Sequence, residues 1–493
     1  MDAGSDPGTC PLESQDAPVA TLPRVVKAWL VGLAAALALL VGEAPASTLA
    51  KQDVVIPMGD GVSIAASLYV PDGAAPSGGW PAIVFLHAFG RDRGDSNALA
   101  EGYGLVDQGY AILTYDARGH GSSTGLVSVA GPREVADARA VHAWLAARPD
   151  VADAKIGAWG ISYGGGTIFN SLAAGVPWAA VVTVQTWTDL YSGLMPQGLV
   201  KSGAVVALSS SIPEARRDPS LASVQAAAFA GNAAAVRPWA AERSSLSKLG
   251  SVTTPVFMAQ GRRDFLFGIE QATQALRRLR GPKLLYLGLH GHAPSTFPAS
   301  DTGALMTQVR AWFDCYLRSG ACGRVAGVAL APEGSTEAAP WATSLPRTTR
   351  STFALPGVTT FARQGKAVRT TAPLRKAVEV FGSPTVRLSV AASGGWSRLV
   401  AVLTARTPKG QEIVVSTGGV PTKNGARKVV IRLINQATYV PKGSRLRLTL
   451  GSASTAQSSS NLLYLDLPMT ASARVRVGTA VLELPVLRTA VTK

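Results

Sequence analysis

Residues 155–166, KIGAWGISYGGG, constrain the fold more than any other stretch of this chain. An apolar run of strand length passes directly into Gly160-Ile161-Ser162-Tyr163-Gly164 and then into a helical pattern. A strand that enters a helix with no loop between them must turn sharply. The two glycines therefore stand where a side chain would collide with the helix, and Ser162 is pushed out past the strand end. A strand followed at once by a helix is also the repeating unit of a mostly parallel sheet covered on both faces.

The surrounding region follows the same rhythm. Apolar runs recur at 82–86, 110–115, 155–159, 179–184, 255–259 and 283–287. Helical patterns lie between them, such as Val135, Ala138, Val141 and Leu145, or Ile269, Ala272, Leu276 and Leu279, at three- and four-residue steps. The Ala- and Ser-rich stretch 187–250 interrupts the alternation and is expected to form a helical cap over the ligand edge of the sheet. Residues 331–350, rich in Pro, Ser, Thr and Ala and without periodicity, read as a linker. Beyond it, runs at 385–390, 399–405, 412–416, 428–434 and 480–484 are alternating or β-branched, so 351–493 is expected to be an all-β sandwich. The α/β domain then comprises 47–186 and 251–330. With 493 residues, 47% hydrophobic and 16% charged, the chain can bury more than one core and is not disordered.

Charge divides along the same boundary. The net charge is +16 overall, but residues 341–493 hold 22 Lys and Arg against four acids, a net of +18. Segments such as Arg445-Leu446-Arg447-Leu448 and Arg474-Val475-Arg476-Val477 put apolar residues on one strand face and arginine on the other. A cationic outer face could hold the protein near an anionic envelope polymer or membrane. Nucleic acid is not an expected partner, because the basic residues lack interleaved aromatics and the chain reads as exported.

Export rests on residues 28–42 (AWLVGLAAALALLVG), preceded by Arg24 and Lys27 and followed by Ala44-Pro45-Ala46. A basic flank, a short apolar run and small residues at the end make a cleaved secretory signal, with cleavage after Ala46 and an uncleaved anchor as the alternative. The long acidic leader before it points to a start codon placed too early. Cys10 leaves with the leader, and Cys315 and Cys322, flanking the end of a helical pattern, are expected to form a disulfide in an oxidising compartment.

Strand, G-x-S-x-G and helix together form the nucleophile elbow of serine hydrolases, with Ser162 as nucleophile. A serine hydroxyl needs a base, and the base needs an acid to fix its tautomer. Of five histidines, His142 lies within a helix, while His87 and His120 precede Ser162, against the Ser, Asp, His order of this arrangement. His290 and His292 remain, after the run 283–287. His292 is preferred, because the turn Gly291-His292-Ala293-Pro294 lies far enough past the strand to reach back. Asp264, after the preceding strand in MAQGRRDFLF, is the expected acid. The oxyanion donors are expected to be the backbone N–H of Tyr163 and one from the turn FLHAFGRDRG, at Ala88 or Phe89. No cluster has metal-ligand spacing and no Gly-rich phosphate loop is present, so neither a metal nor another cofactor is expected.

These segments together resemble a known family. The hairpin VVIPMGDGVSIAASLYVP at 54–71, the loop DARGHGSS at 116–123, the elbow GISYGG and a C-terminal β-domain look like the cocaine esterase and X-prolyl dipeptidyl peptidase family of serine hydrolases. The resemblance implies an α/β-hydrolase domain with a helical cap, followed by a jelly roll whose edge helps to close the site, with Ser162, Asp264 and His292 as its triad. In that family the turn after the early strand carries a tyrosine whose hydroxyl completes the oxyanion hole. Here Phe89 stands at that position, so a backbone N–H would have to serve. Three readings follow: an esterase or amidase for small esters and amides; an exopeptidase releasing Xaa-Pro dipeptides from short peptides; or a binding protein docking through its basic domain. The second needs an acid for the substrate ammonium, for which the cap offers Asp189, Glu214, Asp218 and Glu242.

Overall fold

The structure, a computed structural model, describes residues 51–488 apart from 103, 293–298, 320–321 and 334–339. The expected signal segment and its cleavage point at Ala46 lie outside the described residues. Among these, no helix is long and apolar enough to cross a membrane.

The first half of the chain builds one ten-stranded sheet. Its elements run in chain order β1 (Lys51–Pro57), β2 (Ser63–Tyr69), β3 (Trp80–Leu86), α1 (Arg93–Gly102), β4 (Ala111–Tyr115), α2 (Pro132–Ala146), β5 (Val151–Ile161), α3 (Tyr163–Ala173) and β6 (Val181–Val184). The helices α4 (Leu190–Leu194), α5 (Ser202–Ser210), α6 (Pro219–Phe229) and α7 (Ala233–Glu242) form the expected cap. The sheet then resumes with β7 (Val256–Gly261), α8 (Glu270–Arg278), β8 (Lys283–Gly288), α9 (Ala299–Phe313), β9 (Ala326–Leu330) and β10 (Trp341–Ala342). The strand order is β1-β2-β4-β3-β5-β6-β7-β8-β9-β10, parallel from β4 to β9 and antiparallel at both edges.

The apolar strands carry side chains into two cores because successive residues point to opposite faces. Ala82, Val84 and Leu86 of β3 pack in the core that holds Ala138 and Val141 of α2 and Ile168 and Phe169 of α3. Ile83 and Phe85 enter the other core, with Leu99 of α1 and Val309, Trp312 and Phe313 of α9. Continuous apolar runs in the sequence therefore mark strands buried on both sides. Cys315 and Cys322 are bonded, with Cα atoms 4.8 Å apart, just beyond α9.

The expected linker is only partly one. Trp341 and Ala342 pair antiparallel with Ala329 and Val328, so its second half adds an edge strand to the α/β sheet. The sandwich begins at β11 (Thr348–Leu355) and continues through β12 (Thr359–Ala362), β13 (Lys366–Thr370), β14 (Val378–Gly382), β15 (Thr385–Ser393), β16 (Arg398–Arg406), β17 (Glu412–Pro421), β18 (Gly425–Arg432), β19 (Gln436–Val440), β20 (Arg445–Gly451) and β21 (Arg474–Leu487). One sheet is ordered β18-β15-β21-β14-β19, with β11 and β12 also pairing β21; the other is β13-β20-β16-β17. The two sequence runs at 474–477 and 480–484 are one strand, β21, whose register against β15 shifts between Leu388 and Val390. Val475 and Val477 are buried while Arg474 and Arg476 are exposed, the alternation read from the sequence.

The sandwich does not hang free of the α/β half. Phe381, Val400, Ile434, Ala437 and Tyr464 join the same buried cluster as β3 and α3. In the cap, Ser202 at the start of α5 accepts from Leu465 N at 2.8 Å, and Gly203 N donates to Leu463 O at 3.2 Å.

Candidate active site

Ser162 sits between β5 and α3 with φ 53° and ψ −110°, a backbone state rarely adopted by a side-chain-bearing residue. It is held there from three sides. Its N–H donates to Val184 O at 2.8 Å, and its carbonyl accepts from Thr186 Oγ1 at 2.7 Å and Gly166 N at 2.9 Å. A Cβ on Gly160 would lie 2.6 Å from the carbonyl carbon of Gly164, the helix collision expected from the sequence. The obstacle at Gly164 is different: a Cβ there would lie 2.3 Å from Leu86 O, so this glycine lets the helix start pack against β3.

Two segments far along the chain bring their side chains to Ser162. His292 follows β8 and places Nε2 2.9 Å from Ser162 Oγ. Its Nδ1 lies 2.7 Å from Oδ2 of Asp264, which follows β7 and is fully buried. The other oxygen of Asp264 accepts from Leu266 N and Phe267 N, each at 2.9 Å. With Oδ1 committed to two amides, Oδ2 faces the imidazole. Nδ1 then carries the proton, and Nε2 presents a lone pair to the serine hydroxyl. His290 is drawn elsewhere: its Nδ1 is 3.1 Å from Asp301 Oδ2, tying the loop to α9.

The loop bearing Asp264 is gripped by both other parts of the molecule. From the cap, the buried Lys201 donates through Nζ to Phe265 O at 3.1 Å and Leu266 O at 2.6 Å. Burial pushes the Lys201 ammonium down to about 8, with Glu270 and Asp264 opposing that shift. From the sandwich, Gln436 Nε2 donates to Asp264 O at 3.2 Å, and Ala437 N donates to Arg262 O at 2.7 Å. Arg262 itself is fully buried and pairs with Glu379 of β14. None of these partners was foreseen from the sequence. The one available signal was the arginine pair Arg262-Arg263 directly before the acid, in a segment otherwise apolar.

Glu270, beside this loop, makes a testable contribution to stability. Its Oε2 is enclosed and has no hydrogen-bond partner among the described residues, and burial pushes its carboxyl up to about 7, with Lys201 nearby lowering it only in part. Between the ordinary 4.5 and about 7 the folded protein holds a proton that the unfolded chain releases, so this group favours the fold at low pH and the benefit is lost as pH rises through that window. Glutamine imitates the protonated acid. The urea midpoint of Glu270→Gln, measured against the parent protein, should shift in the variant's favour between pH 5 and pH 7.5; a difference constant over that range would remove Glu270 as its source.

Two of the histidines set aside as bases, His87 and His120, lie against the turn after β3. His87 Nδ1 is 2.8 Å from Ala88 O, and its Nε2 accepts from Ala117 N at 2.9 Å. Nδ1 is therefore the protonated nitrogen, and burial lowers the His87 pKa, which keeps the ring neutral. Arg91 N donates to the same Ala88 carbonyl at 3.1 Å. A peptide unit is planar with its N–H opposite its C=O, so these two bonds also fix the direction of the Phe89 N–H. The Phe89 ring lies 5.6 Å from that of Tyr163, and both residues border the same cavity as Ser162. Tyr163 is the first residue of α3, where N–H groups have no acceptor within the helix. Among the described residues no group of three or more His, Cys, Asp or Glu is placed to hold a metal ion.

An elbow serine, a histidine after β8 and an aspartate after β7 make the chemistry of an activated hydroxyl available. The chain matches the X-Pro dipeptidyl-peptidase (S15 family) over residues 60–294 and the X-Pro dipeptidyl-peptidase C-terminal non-catalytic domain over residues 291–472. It is a hydrolase of the S15 family. Solved structures similar to this S15 hydrolase include a CocE/NonD family hydrolase from Staphylococcus aureus, at 12% identity and TM-score 0.69, covering 91% of this chain and 100% of that one. Another is an α-amino acid ester hydrolase at 16% identity and TM-score 0.63, covering 97% and 100%. A third is an aminopeptidase from a marine sediment archaeon, Thaumarchaeota archaeon, at 14% identity and TM-score 0.64, covering 96% and 99%. At such identities the likeness is one of fold. The human Protein ABHD12B is 32% identical over 132 residues, 26% of this S15 hydrolase, and the match spans only about a third, 35%, of that protein.

Proposed function

We propose that this S15 hydrolase is an exported serine esterase that works through an acyl-enzyme on Ser162. The observation that carries the reading is the hydrogen-bonded chain from Ser162 Oγ through His292 to Asp264, beside a cavity with mostly apolar walls. His292 Nε2 takes the hydroxyl proton as Oγ attacks the ester carbonyl carbon, and Asp264 stabilises the imidazolium that forms. The N–H groups of Tyr163 and of Ala88 or Phe89 receive the oxyanion. The imidazolium then protonates the departing alkoxide. A water, deprotonated by the same nitrogen, attacks the acyl carbon and releases the acid. The apolar run at 28–42 and the Cys315–Cys322 disulfide support export.

The peptidase reading needs a carboxylate for the substrate ammonium. Three of the four cap acids are already engaged: Asp189 Oδ1 accepts from Ser192 N, Asp218 pairs with Arg133 at 2.9 Å, and Glu242 pairs with Arg243 at 3.1 Å. Glu214 borders the cavity, as does Arg217, whose guanidinium donates to Ile212 O. This pattern favours esters over Xaa-Pro peptides.

The test combines labelling with rates. A fluorophosphonate should form an adduct on the peptide carrying Ser162 and abolish turnover of p-nitrophenyl acetate. Gly-Pro and Ala-Pro p-nitroanilides should be hydrolysed at least a hundredfold less efficiently than the ester, in kcat/KM. Comparable release of dipeptide would replace this reading by the exopeptidase one, and labelling at any other residue would displace Ser162.

A further inference from the structure

The cap helices line a partly open cavity of about 790 Å³ that begins at Ser162 and extends among α4, α5, α6 and α7. The cap has a small apolar cluster of its own, whose buried members are Met195, Val200, Ala228 and Val236. All four border this cavity. A helical cap of Leu, Val and Ala would ordinarily close on itself, since each apolar wall facing a void forfeits contacts and destabilises the fold. Besides Ser162, the polar side chains of its lining are Glu214, Arg217 and Asp218, with Ser209 and Gln225, which are bonded to each other at 2.6 Å; the remaining lining is dominated by Leu, Val, Ala and aromatic side chains. Such walls offer water few partners. The hollow is suited to an apolar ligand group.

We infer that the cap hollow holds the acyl chain of the substrate, and that the substrates are esters of unbranched fatty acids of about eight to fourteen carbons, a chain whose volume, at roughly 30 Å³ per water-sized group, fits within it. The inference rests on the esterase reading above and adds the substrate class. The acyl side is assigned to the hollow by the order of the chemistry. The alcohol leaves after the first half-reaction, whereas the acyl group stays bonded to Ser162 Oγ until water releases it. A space walled by the cap helices suits the group that remains, and the alcohol needs only a way out.

The test is a series of p-nitrophenyl esters from acetate to laurate, kept below their micelle concentrations so that only the acyl chain varies. Each methylene entering the hollow should raise kcat/KM roughly three- to fourfold. The gain from acetate to octanoate should therefore be at least a hundredfold. Ala228→Phe and Val236→Phe, on different helices, should each move the optimum to shorter chains and lower the ratio of decanoate to acetate kcat/KM at least tenfold. In Ser162→Ala, dodecanoate should bind saturably and alter the fluorescence of Trp187 and Trp239, which both border the cavity. A flat acyl series with fluorophosphonate-sensitive acetate turnover would overturn the inference and leave the esterase reading standing. A rise with alcohol length in alkyl acetates, but none with acyl length, would overturn it equally. If no ester is turned over and Ser162 is not labelled, the esterase reading falls and takes this one with it.

Discussion

Asp264→Asn is expected to lower kcat on ester substrates about 10⁴-fold while the protein stays folded. The asparagine oxygen can keep the place of Oδ1, which accepts from Leu266 N and Phe267 N. Its NH₂ group would then face His292 Nδ1, where the carboxylate oxygen now lies 2.7 Å away. An imidazole meeting a donor at Nδ1 adopts the other tautomer, with its proton on Nε2. That nitrogen, 2.9 Å from Ser162 Oγ, could no longer accept the serine proton. The imidazolium would also lose its counter-charge. Steady-state rates with urea unfolding as a control separate this from loss of fold, and Ser162→Ala should fall further, by about 10⁶. A variant within tenfold of the parent would show that Asp264 does not orient the base.

Glu379→Ala should destabilise the protein by about 3 kcal/mol, because it leaves a buried guanidinium with only the more distant, partly exposed Glu333 as counter-ion. Arg262 and Glu379 are each almost wholly buried, and they join the acid loop to the sandwich. Arg262 also donates through Nε to Ala437 O at 3.1 Å and through Nη1 to Ala331 O, while Glu333 approaches to only 3.8 Å. Neither carbonyl neutralises its charge. Urea unfolding should show the loss, and the double variant Arg262→Met with Glu379→Leu should recover part of it by removing the buried charge. A Glu379→Ala cost below about 1 kcal/mol would mean that the sandwich does not rely on this pair.

Much of the catalytic half was legible because its signals are local. The elbow shows itself in twelve residues, with glycines where β5, α3 and β3 crowd together. Strands buried on both faces appear as apolar runs, and the cap appears as a break in their rhythm. Less legible were features set by pairing. Trp341 and Ala342 looked like linker because a two-residue edge strand has no periodicity of its own and exists only against β9. The runs at 474–477 and 480–484 looked like two strands because the register shift that joins them depends on β15.

The same division holds at the site. Local sequence determined that Ser162 stands in a strained strand-to-helix turn, and chain order narrowed the base to the two histidines after the run 283–287. Both follow from sterics within a few residues or from a fixed strand order. Tertiary structure alone decided that His292 reaches Ser162 across 130 residues while His290 turns to Asp301. It also decided that Lys201 from the cap and Ala437 from the sandwich brace the acid loop, and that the cap stays open as an apolar hollow. Such contacts join segments distant along the chain, and their geometry is set by how layers pack, which no short window of sequence encodes.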